Sequence, residues 1–175
     1  MKNLTLIALL FLMAPVCLQA DWLAEVNALH EEVAALTENT QGLTDLQRLQ
    51  RYYELSYDMT MLENPGFATW RGDPRSQDRL EDLSKDAVMR RRQGTRDSLA
   101  LIESIDRGAL PGSEQVNYDL LRDTLQRRVD GLQFPQELLQ MNQMSGPQQD
   151  LADLLSMMPG SRTAELENQI ARMAA

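Results

Sequence analysis

Apolar residues recur at intervals of three and four positions through most of this sequence, which is the period of one face of an α-helix. The clearest run lies in residues 22–38, where the apolar positions are Leu23, Val26, Leu29, Val33 and Leu36. Strand-like alternation of apolar and polar residues is nearly absent. The pattern therefore predicts an all-α fold, an irregular array or bundle of about five to six helices with two long ordered loops.

Helix start signals place the remaining helices. Thr44 followed by Gln47 is a capping box and predicts a helix that runs to about Leu62. Further helices are expected over residues 84–105, 113–130, 148–158 and 163–175, and the second of these segments should bury Val116, Tyr118, Leu121 and Leu125. These helices cover most of the chain.

Residues 64–76 and 131–147 are rich in Pro and Gly and are predicted to be the two irregular loops. Each contains large apolar side chains, among them Phe67, Trp70 and Phe134, which predicts loops that are tied to the helical body by buried aromatics. Trp70 and Arg71 could alternatively form the lip of a ligand site.

The first 20 residues have the organisation of an export signal. Lys2 supplies the positive charge, residues 4–13 are apolar, and residues 14–20 form a cleavage region. We expect cleavage after Ala20, which makes the protein periplasmic or secreted, with no stable membrane span after cleavage. Lipid attachment at Cys17 is the less favoured alternative, because Val16 stands where a small residue is wanted. Residues 21–175 are then a single helical region.

The charge balance argues against a nucleic-acid partner. The sequence has 17 basic and 26 acidic residues, a formal net charge of −9, and loss of Lys2 with the signal lowers it further. An acidic surface is repelled by phosphate backbones.

Few residues are available for chemistry. The 175-residue chain has one His, His30, and one Cys, Cys17, which lies within the signal. Zinc peptidase motifs need two His residues one helical turn apart, and none of the nucleotide-binding or hydrolase motifs is present. We therefore expect no catalytic, cofactor-binding or metal-ligating residue in this chain. His30 is expected at the surface or at its boundary.

Two further clusters have structural and functional interpretations. Glu81 with Lys85, and Asp86 with Arg90, have the i,i+4 spacing of ion pairs on a solvated helix face, which is favoured over paired catalytic carboxylates. Four methionines could form an adaptable binding groove, although a place in the core is commoner. They are Met141, Met144, Met157 and Met158.

The final helical pattern has no stop signal. Leu166, Ile170 and Met173 have helical spacing, yet no Gly, Asn or cationic last turn follows them. On spacing alone the pattern fits equally a helix interrupted before its end and a natural C-terminus that frays.

Four stretches of the chain together resemble one family. They are residues 64–73 (NPGFATWRGD), 79–84 (RLEDLS), 115–121 (QVNYDLL) and 140–151 (QMNQMSGPQQDL). In this order and spacing they resemble the N-terminal part of the bacterial domain-of-unknown-function family 885. The motif positions are Asn64, Pro65, Ala68, Thr69, Gly72, Asp73, Leu80, Asp82, Ser84, Asn117, Tyr118, Asn142, Gln143, Gly146 and Asp150.

The resemblance implies an exported or lipid-anchored helical protein similar to zinc metallopeptidases. Members of that family are roughly three times longer than this chain and carry a His-Glu metal motif in their C-terminal part. That part has no counterpart here, so zinc is expected only in full-length relatives. No ligand or catalytic residue can be transferred to this sequence. The resemblance also favours a chain truncated before the metal motif, with residues 21–175 as the N-terminal portion of a longer domain.

Two functions remain open. The chain is expected to be a non-catalytic N-terminal helical fragment of an exported, zinc-metallopeptidase-like protein of unknown substrate, whose partner would be the missing C-terminal region. The alternative is a short acidic periplasmic helical module that binds an unknown protein partner through its Met-rich segment.

Overall fold

The structure, a computed structural model, describes residues 22–135, 138 and 146–175. These residues form seven α-helices and no strand, which confirms the all-α prediction. The helices are α1 (22–38), α2 (Asp45–Glu63), α3 (Pro65–Arg71), α4 (Lys85–Glu103), α5 (Gly112–Gly131), α6 (Pro147–Met157) and α7 (Thr163–Ala174), with a 3-10 turn at Arg107–Ala109. The export signal lies outside the described residues and stays a prediction.

Local sequence signals explain most helix boundaries. Thr44 caps α2, and both halves of the predicted capping box with Gln47 are formed. Ser84 caps α4 by accepting a hydrogen bond of 3.2 Å from the backbone N–H of Ala87. The predicted helix limits are therefore confirmed to within a few residues.

The segment 64–76, predicted to be an irregular loop, instead contains the extra helix α3. Pro65 occupies the first helical position, where its missing N–H costs nothing. Gly72 ends the helix with a φ of 73°, and the N–H groups of Gly72 and Asp73 bond to the carbonyls of Thr69 and Ala68 in a Schellman arrangement. The Pro and Gly here mark the ends of a helix.

The hydrophobic core joins four helices. Leu36 of α1, Leu55 of α2, Ile102 of α4 and Leu125 of α5 are all buried in one cluster. Helix α4 packs along α5, whereas α3 packs between α2 and α6. Among the described residues no helix is long and apolar enough to cross a bilayer.

Several predictions of burial are wrong. Val116 of α5 is exposed, because the buried face of that helix carries Tyr118 and Leu125 instead. Trp70 is 63% exposed, because α3 rests on the body through Pro65, Ala68 and Thr69, which leaves Trp70 on the outer face. Phe67, Phe134 and Leu138 are exposed as well.

Candidate functional site

A buried arginine joins the last helix to the first family-like stretch. The side chain of Arg172 in α7 is fully buried. Its Nε donates to the carbonyl of Arg79 at 2.9 Å, and its Nη2 donates to the carbonyls of Pro65 and Ser76 at 3.2 and 2.8 Å. Its Nη1 donates to Thr69 Oγ1 at 2.8 Å. We call this set of four acceptors the Arg172 cage.

The Arg172 cage contains neutral acceptors only. No carboxylate of the described residues forms an ion pair with Arg172, although Asp78 lies close enough to favour its charge. Burial lowers the pKa of the guanidinium from its ordinary value. An arginine nevertheless stays protonated in proteins, so the carbonyl dipoles must replace the water that burial removes. The cage is therefore a structural anchor for α7.

Asp73 holds the loop that follows α3. Its carboxylate accepts hydrogen bonds from Arg75 Nε at 3.0 Å and Nη2 at 2.8 Å, and from the hydroxyl of Tyr57 at 3.3 Å. Arg75 also pairs with Asp58 at 2.8 Å. The bonds from Arg75 lower the pKa of Asp73 to about 2.

The next family-like residues fix the start of α4. Asp82 Oδ1 accepts a hydrogen bond of 2.8 Å from the N–H of Ser84, which lowers the pKa of Asp82. Ser84 in turn caps the helix. Leu80 is half-buried in the segment that precedes α4. These residues fix the course of the chain into α4.

The remaining motif positions lie elsewhere. Tyr118 is in the core, and Asn117 is exposed and donates to Glu114 at 3.2 Å. Gly146 starts α6, where its carbonyl accepts hydrogen bonds from the N–H groups of Gln149 and Asp150. Asn142 and Gln143 lie outside the described residues. The structure thus places Pro65 and Thr69 against Arg172 and leaves the other described motif residues apart.

A second polar cluster was not predicted from the sequence. The guanidinium of Arg79 stacks on the ring of Trp22 with its carbon 4.0 Å from the ring centroid, and that of Arg90 lies 5.9 Å away. Glu63, which is 8% exposed, pairs with Arg90 Nε at 3.0 Å. One buried Nη atom of each arginine has no hydrogen-bond partner, although both guanidinium groups face the Trp22 ring.

His30 lies beside this cluster against α4. It is half-buried, as expected for a boundary residue, and its Nε2 is buried without a hydrogen-bond partner. A Cβ atom at Gly94 would lie 2.3 Å from His30 Cε1, so only a glycine lets the ring approach α4 so closely. Burial lowers the pKa of His30, which favours the neutral imidazole.

These residues do not fit a zinc site. Within the described ranges no group of three or more His, Cys, Asp and Glu side chains is close enough to hold a metal ion. The sole His has its ring edge against Gly94, and the nearby Glu63 is engaged by Arg90. Proteins bind zinc through three or four ligands drawn from His, Cys, Asp and Glu side chains. This arrangement does not offer such a set.

The expected i,i+4 ion pairs are wrong. Glu81 precedes α4 and pairs with Arg91 at 3.4 Å, whereas Arg90 turns to Glu63 on α2. The interhelical pair gives the buried Glu63 carboxylate a cationic partner. That carboxylate would be unpaired if Arg90 formed its ion pair on the outer face of α4 instead. Of the methionine cluster, Met158 is buried and Met157 is 48% exposed. Met141 and Met144 lie outside the described residues.

Helix α7 carries an exposed apolar face on the side away from Arg172. Leu166, Ile170 and Met173 are 47%, 62% and 58% exposed. We call these three residues the α7 face. Because Arg172 anchors the helix, this face is held in a fixed orientation.

Comparison with protein-family models gives one match, over residues 65–175, to the family described as "Bacterial protein of unknown function (DUF885)". No curated protein and no solved structure matches the chain. The matched residues include α3, the Arg172 cage and α7, and they cover more than half of the sequence. The chain therefore belongs to the DUF885 family.

Proposed function

We propose that this chain is the non-catalytic N-terminal helical part of an exported, zinc-metallopeptidase-like protein of unknown substrate. In this proposal its role is to support the remainder of that protein, which carries the metal motif. The observation that carries the proposal is the α7 face. It consists of three large exposed apolar side chains on a helix whose opposite side is held by the hydrogen bonds of Arg172. Exposed apolar patches of this kind commonly mark interaction sites.

Two features agree with a structural, non-catalytic role. The N–H groups of Arg172 and the four acceptors of the Arg172 cage bond to one another, so they are not available to a substrate. The chain has one His and no Cys beyond residue 17, so any zinc site would have to be built almost wholly from carboxylates.

The nucleotide sequence downstream of the codon for Ala175 tests this proposal. We expect the open reading frame to continue past this codon and to encode a His-Glu metal motif. A downstream region without such a frame would contradict the proposal.

Purified protein supplies an independent test. The chain beginning at Asp21 should retain no stoichiometric zinc after dialysis and should cleave no peptide. One tightly held zinc per chain by elemental analysis, or peptide cleavage that a chelator abolishes, would overturn the non-catalytic assignment.

The second candidate is a short acidic periplasmic helical module that binds a protein partner. The anchoring of α7 by Arg172 favours it, because a docked helix needs no further chain to hold it. The exposed pair of Phe67 and Trp70, whose ring centroids are 5.6 Å apart, offers an apolar contact surface for such a partner. A chain that is monomeric with the α7 face intact, and whose gene has no downstream continuation, would favour this module.

A further inference from the structure

A groove of about 930 Å³ lies between α4 and α5, away from the Arg172 cage. Val88 of α4, Leu120 of α5 and Phe134 form apolar parts of its wall. Leu120 and Phe134 are 67% and 60% exposed, so these side chains are available to a ligand. The volume is within the range of small-molecule sites.

The groove adjoins a smaller polar cavity. This second cavity has a volume of about 160 Å³ and shares Arg91, Thr95 and Arg128 with the groove. His30 and Glu63 also line this cavity. The apolar groove therefore meets a polar region at the two shared arginines.

The arginines make the junction cationic in an otherwise acidic protein. Arg91 is shared between Glu81 at 3.4 Å and the carbonyl of Asp82 at 2.8 Å. Arg127, on the outer wall, pairs with Asp123 at 3.0 Å. Arg128 makes no ion pair or hydrogen bond with any of the described residues. An exposed arginine without an acidic partner beside an apolar wall matches a ligand with an anionic head and an apolar body.

The backbone of the groove argues against an extended peptide. The walls come mainly from two α-helices, whose interior N–H and C=O groups are bonded within each helix. An extended peptide would press its own backbone amides against Val88 and Leu120 without partners, which is unfavourable. An alkyl chain has no such groups.

We propose that this groove binds a fatty-acid-like amphiphile, with its alkyl chain along Val88, Leu120 and Phe134 and its carboxylate at Arg128 and Arg91. The proposal goes beyond the supporting role described above and does not depend on it, since the α7 face takes no part.

Calorimetric titration of the purified protein with decanoate tests the proposal. We expect saturable binding with one site per chain. Arg128→Gln should weaken it about tenfold, as expected for loss of a charged contact. Leu120→Ser should weaken it severalfold. Both side chains are exposed, so these variants should fold, which circular dichroism checks.

Matched controls separate the groove from general surface charge. Arg122→Gln, on α5 but outside the groove and paired only with Glu103 at 3.7 Å, should bind decanoate as the wild type does. Decanol should bind more weakly than decanoate, and Arg128→Gln should reduce that difference, since Arg91 remains. The proposal is overturned if decanoate shows no saturable binding, if Arg128→Gln binds it unchanged, or if a short peptide with an apolar C-terminal residue binds more tightly.

Discussion

Arg172 Nη1 donates a hydrogen bond of 2.8 Å to Thr69 Oγ1, which joins two residues 103 positions apart in the sequence. The same guanidinium holds the carbonyls of Pro65, Ser76 and Arg79, so one side chain connects α7 with α3 and with the loop before α4. Two of the four acceptors, Pro65 and Thr69, are thus motif positions of the family-like stretch 64–73.

Replacing Arg172 should release α7. Arg172→Met keeps much of the volume but leaves several buried acceptors without donors, so we expect a loss of about 3–5 kcal/mol in the free energy of unfolding. Urea denaturation measures the change. Arg162→Met, at an exposed position just before α7, should change the free energy by less than about 0.5 kcal/mol. Equal effects of the two substitutions would contradict the anchoring role.

Gly94 should be intolerant of a side chain because of His30. In Gly94→Ala the new Cβ would meet His30 Cε1 at 2.3 Å, and displacing the ring should destabilise the protein by about 1–3 kcal/mol. In a His30→Ala background the same substitution should be neutral or stabilising, as it should be at Gly131, where a Cβ meets nothing within 4 Å. Additive effects in the double variant would show that the two residues do not interact.

The Asp73 carboxylate should contribute stability that depends on pH. Its pKa falls from an ordinary 3.8 to about 2 in the folded chain, so the unfolded chain binds the proton more readily between these values. The contribution is therefore complete above about pH 4 and is lost as the pH falls through about 2.

Asp73→Asn tests this linkage. We expect a loss of about 1–3 kcal/mol at pH 7 and little difference from the wild type near pH 2. Asp153→Asn, on the exposed side of α6, should show no such pH dependence. A difference between Asp73→Asn and the wild type that stays constant from pH 7 to pH 2 would mean that Asp73 acts by packing alone.

Trp70→Ala should cost little stability. The indole is 63% exposed and stacks only on Phe67, itself 43% exposed, so the change should be below about 1 kcal/mol by thermal or urea unfolding. A loss of 2 kcal/mol or more would show that Trp70 is buried in solution, as the composition of its segment had suggested.

How far the sequence predicts this structure depends on how local the signal is. The start of α2 follows from Thr44 and Gln47, which are three residues apart, and the other long helices follow from apolar spacing. Helix α3 was not predicted, because Pro and Gly, here Pro65 and Gly72, are common both in loops and at the ends of short helices. The Arg172 cage has no sequence signal, since three of its four acceptors are backbone carbonyls that any residue supplies. The contact of His30 with Gly94 is equally non-local, and the one hint was a glycine inside a strong helical pattern.

We propose that this helical chain is part of a longer exported protein, and the intact mass of the native product tests that proposal most directly. Mass spectrometry of the protein isolated from the periplasm of the source bacterium should give a product that begins at Asp21 and extends well beyond Ala175. A native product that ends at Ala175 would contradict the claim, and one that retains residues 1–20 or a lipid on Cys17 would contradict the export route.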